Sequence, residues 1–178
     1  MNTVTRLEVF ASRPIGAGLA FGTSVFLYTA AYVQFVNPRG LFFVPAVVLI
    51  SSATVAAVCA GWLVWRYLLP ISVARSYRSH ALLGMVVGAL TLLLAPPLAL
   101  FGMTIPSLFQ ERVSLITPIL IAGYLINAIA WGLVGTVVAF ALTVGTPILV
   151  TAATGLGLGY LRRRDDGPPR EPGVGSQT

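Results

Sequence analysis

The sequence predicts an all-α polytopic transmembrane helix bundle with four spans, followed by a short C-terminal apolar helix and a polar tail. The first observation behind this is that residues 14–38, 40–65, 81–110 and 113–161 contain no Asp, Glu, Lys, Arg or His. Each stretch exceeds the roughly 20 apolar residues needed to cross about 30 Å of hydrocarbon. The second is composition. Mean hydropathy is +0.89, and 57% of the 178 residues are hydrophobic against 9% charged, where a soluble domain carries about 25% charged residues. The third is that the arginines fall at the ends of the apolar stretches, as the positive-inside rule expects.

The first span is read as 14–36. Pro14 suits its first turn, where a missing N–H leaves no partner unsatisfied. The run is too long for the apolar region of a cleaved signal, so it is read as a span. Asn37-Pro38-Arg39-Gly40 has turn composition, which sends the second span, 41–69, back antiparallel to the first, with Pro70 closing it. Trp62, Trp65 and Tyr67 crowd its end beside Arg66, the arrangement expected where aromatic rings and a snorkelling arginine meet the membrane surface.

The third span is read as 81–104. Pro96-Pro97 inside it removes two backbone donors and should kink it unless neighbouring helices or hydroxyls satisfy the freed carbonyls. Residues 104–112 read as a loop. Residues 113–161 would be about 74 Å long as one straight helix, more than twice the apolar thickness, so they must break. A break at Gly145-Thr146-Pro147, with Thr146 capping a helix that Pro147 begins, gives a span 118–144 and a short interfacial or re-entrant helix 147–161. A break between Trp131 and Gly135 gives five spans instead. Charge favours four, because Arg6, Arg13, Arg66, Arg75, Arg78, Arg162, Arg163, Arg164 and Arg170 then share one side against Arg39 and Arg112 on the other. The expected organisation is a helical domain over 1–164 and a disordered cytoplasmic tail over 165–178, which has no apolar run to bury.

All 11 basic residues are Arg and none is Lys, a usage that points to a GC-rich prokaryotic genome. The chain is therefore expected to be multi-pass in a cell membrane, with both termini cytoplasmic. The net charge of +6 is assigned to topology and not to nucleic acid. Arg75, Arg78, Arg162, Arg163 and Arg164 are candidate lipid head-group contacts.

Chemistry inside a bilayer announces itself as a charged side chain deep in a span, and none lies there. Transport through a buried carboxylate and voltage sensing lose their usual carriers. The single His80 excludes a bis-histidine haem and a multi-histidine metal centre, and it reads as part of a basic loop outside the core. Glu8, Glu111, Asp165, Asp166 and Glu171 lie at ends or in the tail. No catalytic residue, metal ligand or cofactor is expected. The remaining signal is small residues four apart, which let helix backbones approach closely. Gly18, Gly22, Ala57, Gly61, Gly84 and Gly88 are packing candidates, Gly155 and Gly159 repeat the spacing, and Asn127 could bond between helices. The function expected is that of a non-enzymatic accessory or assembly subunit acting through helix–helix contacts, with lipids, other membrane subunits or a second copy as partners. The alternative is a small transporter or channel for an apolar or weakly polar solute.

Overall fold

The computed structural model describes residues 13–36, 44–71, 77–110, 118–143 and 145–165. They form five helices: α1 (Pro14–Val36), α2 (Val44–Ile71), α3 (Tyr77–Gln110), α4 (Pro118–Thr143) and α5 (Thr146–Asp165). Four of them, α1 to α4, are long and apolar enough to span a membrane, and the chain is an all-helical transmembrane bundle.

Side-chain placement is that of a protein solvated by lipid. Ile15, Leu27, Val55, Leu82, Ile126 and Val137 are all more than half exposed, an apolar surface too continuous for a monomer in water. The hydroxyls inside it donate to carbonyls of the preceding turn: Ser51 to Val47 at 2.8 Å, Thr54 to Ile50 at 2.7 Å and Thr91 to Val87 at 2.8 Å. Each donor is thereby satisfied where no water is at hand.

The core has two layers. Ala17 and Phe21 of α1, Ala60, Val64 and Trp65 of α2, Leu83 and Val87 of α3 and Leu158 of α5 form one. Val25, Ala53, Ala56, Ala57 and Ala95 form the next. Side chains this small draw α1, α2 and α3 together, since dispersion between closely approaching backbones takes the place of the hydrophobic effect in a bilayer.

Pairwise contacts fix the direction of each helix. Gly18 lies against Trp62 and Gly22 against Thr54, so α1 and α2 are antiparallel. Trp65 packs on His80, and Gly102 lies by Val48, so α2 and α3 are antiparallel too. Gly132 meets Pro97, and Thr136 bonds to Leu92. Gly88 meets Ile148, and Gly155 meets the His80 carbonyl. Both α4 and α5 therefore run antiparallel to α3, and in the same direction as each other. They make one broken descent along it, interrupted at Gly145, the residue with positive φ (70°) among those described. Gly88, the level at which α5 begins to pack, stands about 16 Å along α3 from Tyr77, half of a hydrocarbon layer about 30 Å thick.

Of the two breaks expected, the structure has the favoured one at Gly145, and α4 continues through Trp131, Gly132 and Gly135. Other expectations change. A five-span path would need α5 to return parallel to α3, and it does not. Nor is α5 an interfacial helix over 147–161: it is 20 residues long, with Thr151, Gly155, Leu158 and Gly159 buried. The third helix begins at Tyr77 and runs to Gln110, through both Pro96-Pro97 and the segment expected to be a loop. Continuing the helix satisfies backbone groups internally, which a loop in lipid could not do. Pro70 lies within the last turn of α2, which ends one residue later. Asp165 belongs to α5, and the tail expected to be disordered otherwise lies outside the described residues.

Candidate helix-contact site

The residues that hold the bundle together are glycines, hydroxyls and two prolines, arranged in three seams. The α1/α2 seam uses Gly18, Gly22 and Gly61. A Cβ on Gly18 would lie 2.8 Å from the Val58 carbonyl oxygen, one on Gly22 would strike the Val58 side chain, and one on Gly61 would lie 2.8 Å from the Phe21 ring. Ala57, fully buried, belongs to the alanine layer beside it.

In the α3/α5 seam, glycine faces glycine. A Cβ on Gly84 would collide with the Thr151 carbonyl, one on Gly88 with the Thr151 hydroxyl, one on Gly155 with the His80 carbonyl, and one on Gly159 would lie 2.7 Å from the His80 ring. His80 is thus not a loop residue outside the core. It occupies the first turn of α3, is 5% exposed, and its ring packs on Trp65 with centroids 5.9 Å apart. The sequence placed it among polar neighbours, whereas the small face of α5 closes over it. The indole N–H of Trp65, itself 1% exposed, has no hydrogen-bond partner among the described residues.

Hydroxyls tie α5 to α1. Thr154 Oγ1 donates to Ser24 Oγ at 2.9 Å, and Ser24 donates onward to the Ala20 carbonyl at 2.9 Å. Across the helix break, Thr146 Oγ1 donates to the Thr143 carbonyl at 2.7 Å, so its oxygen accepts the proton of the Tyr28 hydroxyl, its other partner. Thr146 is therefore not the cap expected. It back-bonds to the end of α4 and carries the link to α1, while Ile148 N–H closes the turn on the Gly145 carbonyl at 2.9 Å.

The α3/α4 seam explains how α3 tolerates two prolines. Pro96 has no N–H, which leaves the Leu92 carbonyl, four residues back, without its helical donor. Thr136 of α4 supplies one, with Oγ1 3.2 Å from that oxygen and 2.9 Å from its own Gly132 carbonyl. Gly132 and Gly135 make room for the proline rings: a Cβ on Gly132 would overlap Pro97, and one on Gly135 would lie 3.2 Å from Pro96 Cβ.

Asn127 is not in a packing face. It is exposed, at the rim of a notch lined by Leu100, Tyr124, Ala128 and Trp131. Arg78 and Arg162 are exposed at the end of the bundle where α3 starts and α5 finishes; Arg163 and Arg164 continue α5, and Arg75 lies outside the described residues. Among the described residues, no three His, Cys, Asp or Glu side chains come together. The sequence reading missed Gly132, Gly135, Thr136, Ser24 and Tyr28 as contact residues. Their signal was pairing with a residue on another helix, which spacing along one helix does not reveal.

These seams and the inverted surface define a polytopic membrane bundle closed by backbone-to-backbone packing. Comparison with protein-family models, curated proteins and solved structures finds no match to this chain.

Proposed function

We propose that this is a non-enzymatic, multi-pass protein of a prokaryotic cell membrane that serves as an accessory or assembly subunit, with α4 as the element it offers to a partner. The observation that supports this is the position of α4. It packs on α3 through the proline seam, yet only 11% of its membrane-crossing stretch is buried, the lowest of the four, against 17% for α1, 39% for α2 and 33% for α3. Ile126 and Val137, both 69% exposed, lie on the uncovered side. A helix fastened along one narrow line, outside an otherwise closed bundle, has a long side free for another subunit. In this reading the arginine end faces the cytoplasm, and so do both termini.

A photoreactive amino acid at Ile126 or Val137 is expected to give one adduct of fixed mass in native membranes, while the same probe at Leu27 or Val55, on the lipid-facing sides of α1 and α2, gives lipid adducts alone. Lipid adducts from all four positions would remove the basis for the subunit reading.

The helix break at Gly145 favours a second reading, transport of an apolar or weakly polar solute, because interrupted helices near mid-bilayer line binding sites in many transporters. Vesicles holding the purified protein would then show solute flux that Gly145→Val reduces. Flux no greater than that of empty vesicles for every solute tried would exclude it.

A further inference from the structure

The helix directions bring together four arginines that are far apart in sequence. Arg13 starts α1, Arg66 lies near the end of α2, Arg78 is in the first turn of α3, and Arg162 is in the last turns of α5; all four are exposed. Contacts set them at one depth. Ala17 N–H bonds to the Arg13 carbonyl at 3.0 Å, and Gly18 lies against Trp62, one turn before Arg66. Trp65 packs on His80, two residues after Arg78, and the His80 ring lies on Gly159, three residues before Arg162. Beyond Arg162, α5 goes on through Arg163 and Arg164 to Asp165, the one acidic residue among those described.

Aromatic residues mark the depth. Trp62, Trp65, Tyr67 and Tyr160 occupy the same layer, where amphipathic rings settle between acyl chains and head groups. Arg66 is set between two of them, its guanidinium carbon 5.3 Å from the Trp62 ring centroid and 5.5 Å from that of Tyr67. Both rings are within cation–π reach of the guanidinium, whose N–H groups can pair with phosphate oxygens. Just inside this layer the surface is apolar, with Leu63 and Leu82 exposed, so whatever meets the arginines also brings hydrocarbon.

We propose that this end of the bundle is a binding surface for anionic phospholipid, with Arg66 in its Trp62–Tyr67 cradle and Arg13 beside it as the principal head-group ligands. Charge complementarity selects the anionic head group, and the adjoining leucines take the acyl chains. Arg78 and Arg162 extend the same surface around α3 and α5. The inference is independent of the role given to α4, since the cradle lies on α2.

The test uses the full chain carrying Trp131→Phe, so that emission comes from Trp62 and Trp65. Brominated phosphatidylglycerol and brominated phosphatidylcholine are compared as quenchers in mixed vesicles. Preference for the anionic lipid is expected to fall about fivefold in Arg66→Gln and about 25-fold in the Arg13→Gln/Arg66→Gln pair, at about fivefold per arginine. Arg66→Lys should keep an intermediate preference, and rising salt should weaken the preference in the parent protein. Quenching by phosphatidylcholine reports insertion and should persist in every variant. Equal quenching by the two lipids in the parent, or an unchanged preference in the paired variant, would overturn the proposal.

Discussion

Leucine at Gly84 or at Gly155 is expected to prevent α5 from docking and to destabilise the folded bundle by about 3 kcal/mol, the upper end of ordinary overpacking. The size follows from what the new side chain meets. At Gly84 it meets the Thr151 carbonyl and at Gly155 the His80 carbonyl, both backbone atoms on helices held elsewhere, so no rotamer change relieves the overlap. Leucine at Gly123 or Gly157, where no atom stands within 4 Å, should change stability by less than about 0.5 kcal/mol. Unfolding of detergent-solubilised protein by increasing denaturant reads all four variants. Equal losses at packed and open glycines would mean that the seam does not set the cost, since helix propensity alone favours leucine over glycine.

Gly132→Leu should release α4 without releasing α5. The Pro97 ring that its side chain meets is rigid and part of α3, whereas α5 has its own glycine contacts and its bonds to Ser24 and Tyr28. In a Cys59→Ser background, a cysteine pair at Leu100 and Ala128 should lose its oxidative cross-link in the Gly132→Leu protein. A pair at Ser24 and Thr154 should keep it. Thr136→Val isolates the hydroxyl and should cost about 1 kcal/mol. It should cost less in Pro96→Ala, where the restored N–H serves the Leu92 carbonyl. Loss of both cross-links together would show that α4 and α5 do not dock separately.

The fold was legible in the sequence wherever one residue type sufficed. Pro14 opens α1 as expected, and uncharged length marked the spans, while the turn expected at Asn37-Pro38-Arg39-Gly40 lies outside the described residues. The glycines of α1, α2 and α3 declared themselves by four-residue spacing. Legibility ended where meaning depended on a second helix. Gly132 and Gly135 look like helix breakers until Pro96 and Pro97 stand opposite them. Thr136 looks like any hydroxyl until the Leu92 carbonyl is seen to lack a donor. His80 looks solvated beside Arg75 and Arg78 until Gly155 and Gly159 enclose it. The direction of α5 was the largest gap, because a turn at Gly145 allows the chain to reverse or to continue, and only packing on α3 decides between them.

The most direct test of this architecture is the side of the membrane on which each loop lies. Single cysteines at Arg39, Ser76, Glu111 and Ser176, again with Cys59→Ser, would be treated with a membrane-impermeant maleimide in intact cells and in inverted vesicles. A bundle whose last crossing is the broken α4–α5 descent places Ser76 and Ser176 on one side and Arg39 and Glu111 on the other; in the orientation proposed above, the first pair is reached in inverted vesicles and the second in intact cells. Labelling of Ser176 together with Arg39 and Glu111 would contradict it, because α5 would then have turned back across the bilayer.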